Sequence, residues 1–112
     1  MLFRSEAFNI GMSLHSDREL GVSTAAVLHL AGAETMVSHS IDSHRPEQAD
    51  DVITEPFVFE NGCLKVPEGP GLGVTLDPDK VQRYHEYHRK FGEASEFQDT
   101  MQAGFRAHYP KF

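Results

Sequence analysis

The chain of 112 residues has one cysteine and no long apolar run. Because Cys63 stands alone, no disulfide can form within the chain. A single thiol is compatible with a reducing compartment, so we expect a cytoplasmic protein. No stretch approaches the roughly 18 apolar residues that a membrane-spanning helix needs. Residues 1–14 include Arg4, Glu6 and Asn9, a polar pattern that disfavours a secretory signal.

Basic residues are also scarce. Ten Lys and Arg face 17 Asp and Glu, which gives a formal net charge of -7. Nucleic-acid binding depends on cations that neutralise phosphates, and anionic membrane surfaces attract cations in the same way. We therefore expect neither partner. The hydrophobic share of 39% is ordinary for a globular domain and allows one modest core.

The first half of the chain predicts a strand, a helix and a second strand. Residues 12–14 and 36–41 are the two short strand candidates, and each ends in polar residues. Between them, Ala, Leu and Val at helical intervals predict a mostly buried helix over residues 18–33. Ser16 or Asp17 is expected to cap its N-terminus. This order is typical of a βαβ unit in a parallel sheet, so we predict an α/β fold.

The second half predicts a hairpin and a further helix. Asn61-Gly62 is a strong turn signal between the strand candidates 56–60 and 63–66. After a Pro/Gly loop, Asp77 is expected to cap a helix that Gly92 ends. Division of the chain at these features gives three parts, which are residues 1–54, 55–76 and 77–112.

Two histidines lie where a predicted strand ends, the position of functional groups in α/β barrels. His15 suits a general base because its unperturbed pKa, about 6.5, lies near working pH; the alternative is a loop or capping histidine. His44 could donate to a substrate carboxylate or hydroxyl. Its alternative is a turn in which Asp42 bonds nearby amides.

Other candidates favour structural roles. His85 and His88 form H-x-x-H rather than H-E-x-x-H, and we expect a solvated or half-buried pair. A metal site is the alternative, since residues three apart on a helix are neighbours. His29 lies inside the predicted Ala/Leu helix and is expected to pack in the core. The glycines of residues 69–73 lack the following lysine of a phosphate loop. They predict a tight turn.

Four segments in order resemble one known family. They are Gly11–Ser16 with the helix that follows, Ile41–His44, Glu55–Phe57 and Pro70–Val74. Together they resemble the seventh barrel strand and later parts of enolase-superfamily dehydratases. The mandelate-racemase subgroup, and within it the glucarate dehydratases, is the most similar group. The resemblance covers roughly residues 6–92.

The resemblance implies a C-terminal fragment of a (β/α)8 barrel: its last two parallel strands and their helix, then a hairpin and a C-terminal helix. It assigns His15 as the catalytic base, and Ser16, Asp17 and His44 to substrate binding. Asp17 stands where glucarate dehydratases often have Asn, and an anion there would repel a dianionic sugar acid.

The implied chemistry is removal of a proton α to a carboxylate, with Mg²⁺ stabilising the enediolate, as in enolase-superfamily sites. The resemblance places the metal ligands, the lysines and the acid that pairs with the base on strands outside this chain. We therefore expect a Mg²⁺-dependent acid-sugar dehydratase that needs the rest of its barrel.

Two alternatives stay open. The first is a non-catalytic remnant whose exposed strand edges promote self-association or binding of a complementary chain. The second is a racemase or epimerase that shares the α-proton step.

Overall fold

A computed structural model describes residues 2–16 and 19–92, which form three α-helices and a short 3₁₀ turn. Helix α1 is Leu2–Ala7, helix α2 is Gly21–Ala33 and helix α3 is Pro78–Phe91; the 3₁₀ turn is Arg45–Glu47. The end of the third predicted part, residues 93–112, and the predicted site residue Asp17 lie outside the residues that the structure describes. No helix in the described ranges is long and apolar enough to cross a membrane.

Helix α1 leads directly into the first paired segment. The helix is followed by Asn9 in a left-handed conformation (φ 50°), which short polar side chains tolerate. The Ser5 hydroxyl then donates to the sulfur of Met12 at 2.8 Å. This contact holds α1 against the segment that carries His15.

The segments around Met12 and Val37 pair in parallel, as the βαβ pattern predicted. The Met12 amide donates to Met36 O at 2.7 Å, and Met12 O accepts from the His39 amide at 3.3 Å. The pairing is a single bridge, shorter than the predicted strands. Beyond it the Ser13 hydroxyl, rather than a main-chain amide, donates to Ser40 O at 2.8 Å, so a side chain continues the link between the two segments.

Helix α2 joins these two segments and begins later than predicted. Its N-cap residue is Leu20, which provides no side-chain hydrogen bond, so the predicted cap by Ser16 is wrong; the other predicted cap, Asp17, lies outside the described residues. The Gly21 amide instead donates to Asp51 Oδ1 at 2.8 Å, from 30 residues further along the chain. A distant carboxylate therefore performs the work of a local cap.

The Asn61-Gly62 turn is present. Glu60 and Cys63 exchange main-chain hydrogen bonds of 2.9 and 3.0 Å. Asn61 (φ 53°) and Gly62 (φ 78°) both have positive φ, as a type I′ turn requires. The pairing stops after this one bridge, so the strands predicted on either side are not formed as a ladder.

A second antiparallel bridge, not predicted from the sequence, joins Ile53 to Leu76. Main-chain bonds flank it from Thr54 to Thr75 and from Asp77 to Val52. Ile53 is 1% exposed and, with the fully buried Ala25 of α2, forms the centre of the small core. The Pro/Gly loop thus returns the chain to the base of α2.

Helix α3 has the boundaries that the sequence predicted. Asp77 accepts from the amides of Asp79 and Lys80 at 3.0 and 3.1 Å, and Gly92 (φ 74°) follows the last turn. None of its residues is buried. Side-chain contacts link it to the preceding chain: Asp50 accepts from Arg83 and from the Tyr84 hydroxyl and lies 3.2 Å from Lys80 Nζ, which also donates to Ile53 O at 3.4 Å.

Candidate functional site

His15 lies just beyond the parallel bridge and is paired with a carboxylate. Its Nδ1 lies 2.7 Å from Asp42 Oδ2, and the other oxygen, Asp42 Oδ1, accepts from the Ser16 amide at 3.0 Å. Asp42 belongs to the segment that follows Val37, the parallel partner of Met12. One carboxylate therefore joins the ends of the two paired segments.

His44 lies beside this pair. The centroids of the His15 and His44 rings are 6.3 Å apart, and the rings meet edge to face at 86°. His44 Nδ1 lies 3.3 Å from Glu47 Oε2, within the 3₁₀ turn. The structure therefore brings together the two histidines that the sequence singled out, each beside a carboxylate.

The pKa of Asp42 is lowered from its ordinary value of 3.8. The Ser16 amide contributes most to this lowering of the pKa; desolvation opposes it, and the hydrogen bond and charge of His15 lower the pKa further. Asp42 is therefore a carboxylate at neutral pH. An anion beside Nδ1 favours the imidazole form that carries its proton on that nitrogen.

Sequence reasoning did not find the role of Asp42. The acid that pairs with the base was expected on a strand outside this chain, and Asp42 was weighed only as a turn residue bonding nearby amides. It does bond an amide, but one that lies 26 residues away. The available signal was that two polar tripeptides, His15-Ser16-Asp17 and Asp42-Ser43-His44, end segments predicted to run in parallel.

Of the two remaining predicted site residues, the structure describes Ser16. Its hydroxyl donates to Glu19 Oε2 at 2.6 Å. The Ser16 amide, and not its side chain, contacts the histidine pair through Asp42.

One cavity among the described residues adjoins the histidine pair through Asp42. Its volume is 410 Å³, and Asp42 and Ser16 form its polar end. Apolar side chains of α2 and of the Asn61-Gly62 hairpin line the remainder, including Val27, Leu28, Phe59 and Leu64. Neither His15 nor His44 lines it. The ring of His15 is instead 74% exposed at the open surface.

The histidines expected to be structural lie away from the site. His29 Nε2 is 3.2 Å from Leu72 O and so links α2 to the Pro/Gly loop. His85 and His88 are exposed on α3, as a solvated pair would be. Within residues 2–16 and 19–92, no group of three His, Cys, Asp or Glu side chains could hold a metal ion.

A polar cluster at the ends of two parallel segments that a helix connects defines an α/β protein with its candidate site at a strand-end rim. The sequence model of the enolase C-terminal domain-like family matches residues 4–80. The chain therefore belongs to this family.

Two curated relatives show the range of the similarity. The chain is 42% identical over 78 residues to a probable glucarate dehydratase from Streptomyces coelicolor, which covers 70% of this chain and 18% of the relative. It is 49% identical over 41 residues to a muconate cycloisomerase from Acinetobacter lwoffii, covering 37% of this chain and 11% of that protein.

Two solved structures of enolases and related enzymes also resemble the fold of this chain. An isomerase from Streptomyces coelicolor matches with a TM-score of 0.78 and 44% identity over 84% of this chain and 25% of its own. An enolase from Thermobispora bispora, crystallised with magnesium and formate, matches with a TM-score of 0.75 and 38% identity over 82% of this chain and 22% of its own. The chain thus spans a quarter or less of the length of each of these proteins.

Proposed function

We propose that the chain is the C-terminal part of an acid-sugar dehydratase of the glucarate type, with His15 as its acid/base residue. The observation that carries the proposal is the 2.7 Å contact between His15 Nδ1 and Asp42 Oδ2, at the ends of two parallel segments. In this proposal the segments around Met12 and Val37 are the last two strands of a (β/α)8 barrel, and α2 is their connecting helix.

In the proposal, the contact with Asp42 gives the two ring nitrogens of His15 different roles, Nδ1 as hydrogen-bond donor and Nε2 as proton acceptor. With Nδ1–H donating to the carboxylate, Nε2 keeps a lone pair that can accept a proton. In the proposed reaction, Nε2 takes the proton α to the substrate carboxylate, and Asp42 stabilises the imidazolium that results. The imidazolium then returns a proton to the departing β-hydroxyl, which leaves as water, and the substrate gains a carbon–carbon double bond.

His44 is proposed to bind the substrate. Its ring lies 6.3 Å from that of His15, so one small acid sugar can contact both, and Glu47 orients it through Nδ1. The Ser16 hydroxyl, which is bonded to Glu19, would have to turn to reach a substrate. Asp17 stays a substrate-binding prediction from the family resemblance.

The described residues do not fit a magnesium site, because they include no cluster of three candidate ligands. We therefore assign the metal ligands to other strands of the barrel, and no step of the proposal passes through the ion. The proposed partner of this chain is the acid sugar, bound once the rest of the barrel is present. In its absence we expect no activity.

An alternative is a non-catalytic piece that associates with other chains. Large apolar side chains on the surface favour it, including Phe8 at 74% and Val58 at 70% exposure. A second copy or a complementary chain could cover them. The racemase or epimerase alternative shares the proton transfer to His15 and differs only in whether the β-hydroxyl leaves.

A chimera tests the proposal. Residues 4–92, which include the family match and all of α3, would replace the corresponding region of the Streptomyces coelicolor relative. The product would be assayed with Mg²⁺ for loss of water from a panel of aldarates and aldonates. We expect turnover that His15→Asn abolishes. His85→Ala, on the exposed face of α3, should leave the rate nearly unchanged.

The outcomes separate the candidates. Exchange of the α-proton in D₂O without loss of water would indicate a racemase or epimerase. A folded chimera without exchange or dehydration, beside an active parent, would support the non-catalytic reading. Retained dehydration in His15→Asn would reject His15 as the base.

A further inference from the structure

We propose that Asp51 is a positioning residue that, with Arg45 and Gln48, holds the His15 and His44 segments in a fixed relation. The inference deepens the proposed function and rests on it. The three side chains form a clasp (Arg45, Gln48 and Asp51) that lies outside the histidine pair and contacts neither ring.

Asp51 has two oxygens with different partners. Oδ1 accepts from the Gly21 amide at 2.8 Å and from the Val52 amide at 2.6 Å. Oδ2 forms an ion pair with Arg45 Nη1, and the two side chains are only 5% and 9% exposed. The carboxylate therefore joins the first residue of α2, which follows the His15 segment, to the residue next to His44.

Gln48 makes a second link between the same two segments. Its Nε2 donates to Glu19 O at 2.9 Å, and its Oε1 accepts from Arg45 Nη1 at 3.3 Å. Two bonds, from Gln48 to Glu19 and from the Gly21 amide to Asp51, thus connect the chain that follows the 3₁₀ turn to the start of α2. Movement of either segment would have to break both.

The Asp51–Arg45 ion pair is better suited to fixing the position of His44 than to raising the free energy of unfolding. Burial acts to raise the pKa of Asp51, but the amides of Gly21 and Val52 and the Arg45 guanidinium outweigh it and lower the pKa. Arg45 Nε is buried without a hydrogen-bond partner in the described chain. Since desolvation offsets most of the attraction in a buried ion pair, the pair's main consequence is where it holds His44 relative to α2.

Asp77 is the matched control. It also accepts the amides at a helix N-terminus, but those of its own neighbours Asp79 and Lys80. Its contacts do not reach either histidine segment. Asp51→Asn and Asp77→Asn each change one capping carboxylate to an amide. Only Asp51→Asn removes an ion pair beside His44.

The experiment is NMR spectroscopy of the full chain with ¹⁵N-labelled histidine. Two quantities are read out: the cross-relaxation between the His15 and His44 rings, and the tautomer of His15 from its Nδ1 and Nε2 shifts. We expect Asp51→Asn to lose the ring-to-ring contact and the Nδ1–H preference. Asp77→Asn should keep both, and α3 should keep its helical signal because Asn also caps a helix N-terminus.

A double variant separates position from stability and covers the case in which Asp51→Asn fails to fold. Asp51→Asn with Arg45→Met removes both charges, so the thermal midpoint should recover while the ring contact should not. The proposal would be overturned if the double variant recovered the His15–His44 ring contact together with its thermal midpoint. It would also be overturned if Asp51→Asn folded and showed the same ring contact as the wild type. These readouts do not depend on turnover, so an inactive chimera would reject the proposed function without deciding this inference.

Discussion

In both α2 and α3 an aspartate carboxylate accepts from amides at the helix N-terminus, but the two carboxylates come from different parts of the chain. Asp77 precedes α3 directly and caps it from within its own segment. Asp51 caps α2 from 30 residues further along the chain, and it does so from a buried position. Helix α3 is thus defined by local residues, whereas the start of α2 depends on the folded chain.

The difference extends to packing. Gly21 and Ala25 of α2 are buried against the core, while α3 buries none of its residues and is held by charge and hydrogen bonds at Asp50. A helix that contributes to the core should therefore respond to core changes, and α3 should respond to changes at its ends and at Asp50.

Ile53→Ala should have the largest effect. Ile53 is 1% exposed under α2, and truncation of a buried Ile costs about 2–5 kcal/mol of unfolding free energy. Its bridge partner Leu76 is 52% exposed, so Leu76→Ala is the control and should cost much less. Denaturant unfolding measures both. Equal losses would show that the core is not centred where the structure places it.

Gly21→Ala should have the next largest effect. An added Cβ would lie 2.4 Å from Ile53 Cδ1 and 2.8 Å from Asp51 Oδ2, and overpacking of this kind costs about 1–3 kcal/mol. Gly32→Ala, at the exposed end of the same helix, is the control because its nearest contact is 3.1 Å from Val66 Cγ2. Thermal unfolding of the two variants should differ; a tolerated Gly21→Ala would contradict the close approach.

Asp77→Ala should affect α3 alone. Loss of an N-cap costs about 0.5–2 kcal/mol of helix stability. We expect faster amide exchange in α3 and unchanged exchange in α2, measured by NMR. Asp79→Ala keeps the cap and should change α3 less. Comparable loosening of both helices would mean that α3 is not locally defined.

The smallest effect concerns pH. The Tyr84 hydroxyl is the main cause of the lowered pKa of Asp50, followed by the Asp51 amide and Lys80. Because the folded pKa lies below the ordinary 3.8, the contribution of Asp50 is present above that value and is lost as pH falls through the lower folded value.

Tyr84→Phe should therefore move the Asp50 midpoint upward, toward 3.8, in a ¹³C carboxyl titration. Asp42 has the Ser16 amide as its main partner and should keep its midpoint. Tyr87→Phe is the control, since the Tyr87 ring contacts Phe91 on the same helix. An unchanged Asp50 midpoint in Tyr84→Phe would remove the hydroxyl as the cause.

The sequence correctly predicted the elements whose conformation depends on contacts between neighbouring residues. The Asn61-Gly62 turn and the boundaries of α3 follow from residues that set their own backbone conformation or bond their own neighbours. The parallel relation of the Met12 and Val37 segments also followed, from their separation by a helix. The pairing of Ile53 with Leu76 and the start of α2 did not, because each depends on residues distant in the chain.

The candidate site divides in the same way. His15 and His44 were identified because each follows a predicted strand, and the family resemblance added their roles. Asp42 was not identified as the partner of His15, since 26 residues separate it from the Ser16 amide that it also binds. No local pattern distinguishes it from an ordinary turn aspartate.

By itself, the sequence determined the acidic balance, the order of elements, the family and the two histidines of interest. The tertiary structure alone decided that Asp42 pairs with His15, that Asp51 caps α2 and joins it to Arg45, and that Ile53 lies beneath Gly21. The physical reason is the separation along the sequence between the residues that make each contact. Caps and turns are fixed by neighbours within a few residues, whereas these contacts form only after the parallel pairing has brought distant segments together.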